Sequence, residues 1–444
     1  MFDKVLIANR GEIAKRVART CRKMGIKTVA VYSEADEESP HLQEADEAYL
    51  IGPPSPRESY LRGDTIIRTA LDCKADAVHP GYGFLSEDHE FALACRERGL
   101  VFIGPGPETI EAMGKKIQAR ATMAAHGIPV VKGSGVLESA EQATAAAEEI
   151  GYPVLLKASG GGGGIGMEVV DAPERIEKSF EKCRSRAGAS FGDETVYMEK
   201  YLASPRHVEI QIVADRSGNV WHLGERDCSV QRRHQKVIEE SPSPAVTKEI
   251  RARMGEDAVR AASVIQYDSV GTVEMLMDEE KNTYFLEMNT RIQVEHGVTE
   301  LRTGTDLVEL QLRAAAGEAL PDGDRAASGH SMECRIYAEK PTTFYPSCGV
   351  IEELSLPSGD GIRIDHSIAK GYTVTPFYDP LLAKVLVWRE SRQECIEEMC
   401  RALDATTISG VSTNIPFLMH VLKDGEFNER GATTVMTERV LSEM

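Results

Sequence analysis

The sequence predicts an α/β fold that continues into α+β segments, and three observations support this fold class. Residues 1 to about 105 alternate between short apolar runs and apolar positions at helical spacing. From about residue 152 to residue 294 the chain changes to strand-rich segments of alternating polarity. The residues after 330 begin a new set of strands and end in helices, so the 444 residues are expected to form more than one domain.

The N-terminal alternation predicts a doubly wound parallel sheet, because strands that alternate with helices pair in parallel. The first turn carries a single glycine, Gly11, instead of G-x-G-x-x-G, which argues against a dinucleotide site. The expected elements are a strand at 5–8, a helix at 11–24, a strand at 28–32, a strand at 77–79, a helix at 87–98 and a strand at 101–103.

The rest of the chain is organised by one long helix, two groups of strands and a linker. A helix is expected over 107–126, because Gly127 and Pro129 break the pattern that follows it. The polar stretch 321–330, rich in Gly and Asp, is expected to link two domains. The expected strands are 153–158, 167–170, 207–213, 271–277 and 283–295 before this linker, and 332–337, 361–365 and 382–388 after it.

Composition excludes several functional classes. The chain has 51 Lys and Arg against 70 Asp and Glu, and this net charge of −19 argues against a nucleic-acid partner and an anionic membrane surface. Its nine cysteines form no CxxC pair, which favours free thiols in a reducing compartment over disulfides or a zinc site. No apolar run approaches the ~18 residues of a membrane span. A cytoplasmic protein is expected.

A run of five glycines at 160–164 follows Lys157 and lies between two apolar segments. Consecutive glycines destabilise regular structure, so the run is expected to be a loop that moves or approaches a ligand closely. The loop is followed by a strand instead of a helix, and Met167 and Glu168 stand where Walker A needs Lys and Ser/Thr. A flexible linker is one alternative. A flap over nucleotide phosphates, with Lys157 supplying charge, is favoured.

Residues 287–295 alternate between polar and apolar side chains. In an extended chain the side chains at i and i+2 share a face, so five polar groups would line one face: Glu287, Asn289, Arg291, Gln293 and Glu295. A solvated strand face is the alternative, although an acid–amide–cation–amide–acid series is unusual for one.

The strand at 271–277 is expected to form a hairpin with this segment through the loop at 278–282. The hairpin brings Glu274 close to Glu287 and Asn289. Hard oxygen ligands of this kind suit Mg²⁺ together with substrate phosphates. The alternative to a metal site is that Lys or Arg side chains neutralise the two acids.

Residues 225–236 form a dense cationic segment in an acidic chain. An anion site for phosphate or a small carboxylate is one interpretation, and an ordinary surface loop is the other. A second alternating segment, 207–212, also places polar groups opposite apolar ones.

Together these motifs resemble the ATP-grasp biotin carboxylase family, the biotin carboxylase subunits or domains of acetyl-CoA, other acyl-CoA and pyruvate carboxylases. The resemblance runs in order from about residue 2 to residue 420. It is carried by residues 7–14 (IANRGEIA), 79–87 (HPGYGFLSE), 157–164 (KASGGGGG), 225–236 (ERDCSVQRRHQK), 287–296 (EMNTRIQVEH), 333–336 (ECRI) and 378–384 (YDPLLAK).

The resemblance implies a Rossmann-like N-terminal domain at 1–112, an ATP-grasp domain at 113–327 and a mixed α/β C-terminal domain at 328–444. A mobile glycine-loop lid is implied at about 130–203. The implied reaction converts ATP, bicarbonate and carrier-bound biotin into ADP, phosphate and carboxybiotin. Two Mg²⁺ or Mn²⁺ ions are implied as cofactors.

Site residues follow from the same resemblance. The implied ATP-binding residues are Lys116, Lys157, Gly162, Gly163, Gly164, Glu199, Lys200, Leu202, His207, Gln231, His234, Leu276 and Glu287. The implied metal ligands are Glu274, Glu287 and Asn289. Bicarbonate is expected to bind Arg291, Gln293, the Val294 backbone and Lys236. The implied catalytic residues are Glu295 as general base, Arg291, Lys236, and Arg335, which binds biotin and stabilises its enolate-like form.

Four positions depart from the family pattern. Ile165 and Glu168 replace basic residues of the lid, which is expected to weaken nucleotide affinity. Gly297 replaces Pro and is expected to loosen the following turn. Cys348 stands in a turn where Pro or Thr is common. None of the implied catalytic positions is lost, so an active enzyme is expected.

The chain contains no Met-Lys dipeptide of a biotinylation site, so biotin is expected on a separate carrier protein, with the carboxyltransferase on yet another chain. The family resemblance also implies a homodimer. The alternatives are another ATP-grasp carboxylate–amine ligase and a catalytically silent nucleotide-sensing subunit.

Overall fold

The computed structural model describes residues 1–159, 166–320 and 327–444. Its helices are α1 (Gly11–Lys23), α2 (Gly63–Asp72), α3 (His89–Glu97), α4 (Pro107–Gly114), α5 (Lys116–Ala125), α6 (Ala140–Ile150), α7 (Ile176–Phe191), α8 (Lys248–Val264), α9 (His296–Thr303), α10 (Leu307–Ala315), α11 (Arg392–Asp404), α12 (Ile415–Lys423), α13 (Gly425–Arg430) and α14 (Met436–Glu443).

The strands belong to five sheets in the described part of the chain. They are β1 (Lys4–Ile7), β2 (Lys27–Ser33), β3 (Glu47–Gly52), β4 (Ala77–His79), β5 (Val101–Phe102), β6 (Val154–Ala158), β7 (Met167–Val170), β8 (Val196–Lys200), β9 (Arg206–Ala214), β10 (Val220–Arg232), β11 (Gln235–Ser241), β12 (Val270–Met277), β13 (Thr283–Asn289), β14 (His330–Tyr337), β15 (Gly349–Val350), β16 (Leu354–Ser355), β17 (Ile362–His366), β18 (Thr373–Val374), β19 (Leu381–Arg389) and β20 (Thr407–Ile408).

The N-terminal sheet confirms the predicted doubly wound arrangement. Five parallel strands run in the order β3-β2-β1-β4-β5. The turn after β1 reaches α1 through Gly11, whose φ of +67° is readily adopted only by glycine. The predicted helix over 107–126 is wrong as one element. It ends at Gly114, and Lys115 (ψ 87°) leaves the helical region, so Lys116 becomes the first residue of α5.

The largest sheet has eight strands in the order β13-β12-β9-β10-β11-β14-β19-β17. It crosses the predicted boundary at 327/328, because β11 pairs with β14 in antiparallel register. The linker residues 321–326 lie outside the described residues. The domain limits 1–112, 113–327 and 328–444 therefore stay predictions.

The lid is a separate small sheet of order β7-β6-β8, backed by α6 and α7. Strands β6 and β7 are antiparallel, as the strand–loop–strand pattern predicted. The glycine-loop prediction itself, with Gly162, Gly163 and Gly164, lies outside the described residues.

In the central segments one prediction needs correction and one alternative is excluded. The strand predicted over 283–295 ends at Asn289, because the chain there leaves the sheet and turns into α9, which begins at His296. Residues 225–236 are a buried strand, a tight turn and a strand, not a loop. Its basic residue Arg226 is fully buried, because carboxylate and amide oxygens of neighbouring strands surround it.

No helix of the described residues is both long and apolar enough to cross a membrane.

Candidate active site

A cleft of about 1080 Å³ lies between the lid, the eight-stranded sheet and the N-terminal sheet. Every implied site residue that falls in the described part of the chain lines it. These residues are Lys116, Lys157, Glu199, Lys200, Leu202, His207, Gln231, His234, Lys236, Glu274, Leu276, Glu287, Asn289, Arg291, Gln293, Val294, Glu295 and Arg335. The sequence motifs, although dispersed, thus converge on one site.

The lid side of the cleft carries a buried ion-pair cluster around Glu199 on β8. Its carboxylate contacts Arg120 of α5 and lies 2.5 Å from Lys157 Nζ on β6. The ammonium of the neighbouring Lys200 donates to the carbonyls of Gly151 and Tyr152, so its charge already has partners within the lid.

The two predicted metal carboxylates face each other across the hairpin of β12 and β13. Glu274 and Glu287 are partners in the strand register, as the sequence predicted. Lys116 Nζ lies 2.8 Å from Glu287 Oε2, while Asn289 Nδ2 donates to Glu274 Oε1 at 2.8 Å. Burial opposes ionisation of Glu274, but the Lys236 ammonium and the contact with His207 hold the pKa of Glu274 well below its usual range.

This donor set fits a hard divalent cation. Glu274 and Glu287 offer carboxylate oxygens, and the Asn289 amide oxygen completes a group of the type that Mg²⁺ prefers. In the described structure the cationic partners Lys116 and Lys236 already balance these charges. The acids are thus neutralised by lysines, as the alternative interpretation expected. The metal prediction is compatible with this, because the Glu287 side chain remains about one-third exposed to the cleft.

Glu295 occupies the turn before α9 and is 2% exposed. Its Oε1 lies 2.7 Å from Lys236 Nζ, and its Oε2 accepts a hydrogen bond of 2.9 Å from Arg335 Nη2. Burial would raise the pKa of Glu295, but the Lys236 and Arg335 cations hold that pKa below its usual range. The carboxylate is thus held in its ionised form, which a proton acceptor requires.

Lys236 is the common partner of three carboxylates. Its Nζ lies 2.5 Å from Glu209, 2.8 Å from Glu274 and 2.7 Å from Glu295. Burial opposes its charge, yet these three acids raise the pKa of Lys236 well above its usual range. The ammonium therefore joins the predicted metal side of the cleft to the predicted base.

Arg226 was missed as a site residue, although the resemblance covered its segment. It is fully buried, and it donates to Glu209 Oε1 and to Gln293 Oε1, each at 2.6 Å. Gln293 in turn donates to Glu274 Oε1 at 2.6 Å. Arg226 of the cationic segment thus holds site residues in place through buried hydrogen bonds. The one signal for this in the sequence is a lone basic residue inside a strand.

The turn at 290–295 is held by contacts from two other parts of the chain. Glu87, which lies between β4 and α3, accepts from Arg291 Nε at 2.9 Å. Lys384 on β19 donates to the Val294 carbonyl at 2.7 Å and lies 3.0 Å from Glu12. Sequence reasoning counted Glu87, Glu12 and Lys384 only as parts of motifs.

Three of the four departures can be located. Glu168 lies 2.7 Å from Lys182 and 3.6 Å from Arg186 on α7, so its negative charge is balanced within the lid. Gly297 is buried in α9, where an added Cβ would lie 2.4 Å from Leu386 Cδ2, so the glycine permits close packing against β19. Cys348 is exposed. Ile165 lies outside the described residues.

The parallel N-terminal sheet, the small antiparallel lid and the carboxylate-lined sheet opposite it together define a class: three-domain proteins of ATP-grasp architecture. Models of known families match in the same order. The matches are "Biotin carboxylase, N-terminal domain" over 1–110, "Carbamoyl-phosphate synthase L chain, ATP binding domain" over 115–322 and "Biotin carboxylase C-terminal domain" over 333–439.

Individual relatives agree along almost the whole chain. The biotin carboxylase of Halalkalibacterium halodurans is 55% identical over 98% of this chain and 97% of that protein. Biotin carboxylase 2 of Bacillus subtilis is 54% identical over 98% of both. A crystal structure of Campylobacter jejuni biotin carboxylase in complex with β,γ-ATP matches with a TM-score of 0.97 and 45% identity over 99% of both chains.

A second solved structure is the biotin carboxylase domain dimer of Hydrogenobacter thermophilus 2-oxoglutarate carboxylase, in complex with MgADP, ADP and bicarbonate. It matches with a TM-score of 0.96 and 48% identity over 99% of both chains. The chain belongs to the biotin carboxylase family.

Proposed function

We propose that this chain is an ATP-dependent biotin carboxylase, which uses bicarbonate and ATP to carboxylate biotin held on a carrier protein. The observation that carries the proposal is Glu295, a buried and ionised carboxylate that lines the cleft and lies between Lys236 and Arg335. A base is needed there because bicarbonate must lose a proton as it attacks the γ-phosphoryl group of ATP.

The residue roles follow from position and charge. Lys116 and Lys157 offer cations to the ATP phosphates. Glu199 on β8 and Leu202, two residues after that strand ends, border the space for the adenine. Glu274, Glu287 and Asn289 would hold two Mg²⁺ or Mn²⁺ ions, which offset the phosphate charge when bound.

The bicarbonate half of the reaction is assigned to the turn at 290–295. Arg291, Gln293 and the Val294 backbone bind the anion, while Lys236 balances its charge. Glu295 takes its proton, and the resulting oxygen nucleophile attacks the γ-phosphorus with ADP as leaving group. The product is carboxyphosphate. Its carboxyl group passes to the ureido nitrogen of biotin with inorganic phosphate as leaving group, the phosphate takes the proton of that nitrogen, and Arg335 stabilises the negative charge on the ureido oxygen.

The first prediction is the substrate dependence of ADP release. We expect release from ATP to require bicarbonate and to rise when free biotin is added, because the nucleophile and the final acceptor are separate molecules. ADP release is measured in a coupled assay with each substrate omitted in turn. Turnover independent of biotin would indicate a carboxylate–amine ligase, and no turnover under any condition would indicate a silent nucleotide-sensing subunit.

The second prediction concerns the metal. Glu287→Gln removes a carboxylate that faces the cleft, so the Mg²⁺ concentration for half-maximal turnover should rise about tenfold or more. Chelation by EDTA should stop turnover in both proteins. Glu47→Gln changes a partly exposed acid on β3 that pairs with Lys4, and it is the matched control. An unchanged Mg²⁺ requirement in Glu287→Gln would contradict the metal assignment.

The proposed partners are a biotin carboxyl carrier protein and a carboxyltransferase subunit in the cytoplasm, without nucleic acid or membrane. Relatives named as carboxylase subunits support this, among them one of the pyruvate carboxylase subunits from Methanothermobacter thermautotrophicus, at 50% identity. A homodimer is proposed because the Hydrogenobacter thermophilus relative was solved as one.

A further inference from the structure

Two carboxyl groups lie directly behind Arg335, at positions that the assigned mechanism does not use. Glu239 on β11 and Glu333 on β14 are register partners in neighbouring antiparallel strands. Both are completely buried. None of their four carboxylate oxygens makes an aligned hydrogen bond with the described residues. Buried acids of this kind need a proton or a cation to balance them.

The cation closest to both is Arg335. Its Nη2 lies 2.6 Å from Glu239 Oε1, and its Nε lies 3.9 Å from Glu333 Oε1. The same Nη2 donates to Glu295 Oε2 at 2.9 Å. One guanidinium thus faces three carboxyl groups, and with all three ionised its positive charge would be more than cancelled.

Other charges near the pair leave it short of cations. Burial raises the pKa of both carboxyl groups, above all that of Glu333, and Arg335 and Lys384 only partly offset this. Two like charges on adjacent buried strand positions disfavour each other unless close cations balance both of them. The titratable and charged groups around the pair are Lys236 on β11, Cys228 on β10, Cys334 and Arg335 on β14, Lys384 on β19, Tyr82 after β4, and Glu295 before α9.

We propose that Glu239 and Glu333 form a carboxyl pair that shares one proton and seats Arg335 for the carboxylation of biotin. The single negative charge of the pair holds the Arg335 guanidinium on its buried side, opposite the cleft. The shared proton leaves Arg335 a net positive charge toward the cleft, where the ureido oxygen becomes negative. Both are positioning residues, and the inference rests on the proposed function.

The pH dependence follows from this arrangement. When the pair loses its proton at alkaline pH, a second carboxylate forms behind Arg335 and the charge available to the ureido oxygen falls. The kcat/KM for biotin should therefore decline on the alkaline side. Glu333→Gln keeps a permanently neutral partner, so this decline should move to higher pH, while activity at lower pH stays within about twofold of the unsubstituted chain.

Glu239→Gln tests the contact itself. It removes the carboxylate that lies 2.6 Å from Arg335, so the KM for biotin should rise about tenfold, the loss expected for one close buried ion pair. ATP cleavage with bicarbonate but without biotin should change little. A purely structural role would instead lower both activities together.

The matched control is Glu240→Gln. Glu240 is the next residue of β11 and is also buried, but it pairs with His330 and Arg392, away from the cleft. This variant should lose thermal stability without a change in biotin KM or in the alkaline decline.

The experiment measures ADP release by the full chain against biotin concentration over a pH series. A Glu333→Gln profile that superimposes on that of the unsubstituted chain, or an unchanged biotin KM in Glu239→Gln, overturns the inference. If Glu239→Gln fails to fold, the pH profile of Glu333→Gln decides alone. If Glu333→Gln fails to fold, the biotin KM of Glu239→Gln decides alone. An unsubstituted chain without biotin-dependent release overturns the proposed function and this inference with it.

Discussion

Glu295→Gln is expected to reduce biotin-dependent turnover by about 10²- to 10⁴-fold, the contribution of a general base. The amide keeps the size of the side chain and can still accept from Arg335, but it cannot take the proton of bicarbonate. ATP binding should persist, because Glu295 lies on the bicarbonate side of the cleft. Steady-state ADP release gives the turnover, and the shift in melting temperature caused by ATP gives the binding.

Glu300→Gln provides the control for this variant. Glu300 is also buried and ionised, five positions further along α9, where Arg16 and Arg363 balance it. The control should lose stability, since a buried charge pair is broken, but it should keep the substrate dependence of turnover. A Glu295→Gln protein that retained most of its activity would assign the base to another group.

Lys236→Gln is expected to have the second large effect. Removing this ammonium leaves Glu209, Glu274 and Glu295 facing one another, and breaking a buried pair in this way costs about 3–5 kcal/mol. Without its nearest cation, Glu295 should have a higher pKa than in the unsubstituted chain. Turnover should fall at least about 10²-fold, and the acid limb of kcat/KM should move to higher pH.

The sign of that shift is specific. In the unsubstituted chain Glu295 stays ionised as pH falls, because Lys236 and Arg335 lower its pKa. In the variant the carboxyl group is protonated earlier during acidification, so activity is lost at a higher pH. Lys182→Gln, an exposed lysine of the lid that pairs with Glu168, is the control and should leave the profile unchanged. An acid limb that stays in place would contradict the coupling of Lys236 to Glu295.

Local patterns predicted much of the fold, since periodicity and turn residues are properties of neighbouring positions. The parallel N-terminal sheet, the hairpin of Glu274 and Glu287, and the lid strands on either side of the glycine run are confirmed. The end of β13 at Asn289 was missed because alternation continues in the sequence after the strand has left the sheet. The break of the helix at Lys115 was missed although Gly114, a residue type that often ends helices, stands directly before it.

The candidate site, like the fold, was only partly predictable from the sequence. The residue types that carry the chemistry were predictable, because the motifs contain them in order. Their charge partners were not, since each partner comes from a distant part of the chain. Lys236 meets Glu295 across 59 positions, and Glu87 meets Arg291 across 204.

The sequence by itself therefore determined the order of the elements, the family and the identity of the reactive groups. Only the tertiary structure decided which acid is ionised and which must share a proton. Glu295 and Glu333 are both buried glutamates close to Arg335, yet their pKa values move in opposite directions. The reason is physical: burial disfavours both charges, and only Glu295 has two cations within hydrogen-bond distance to offset it.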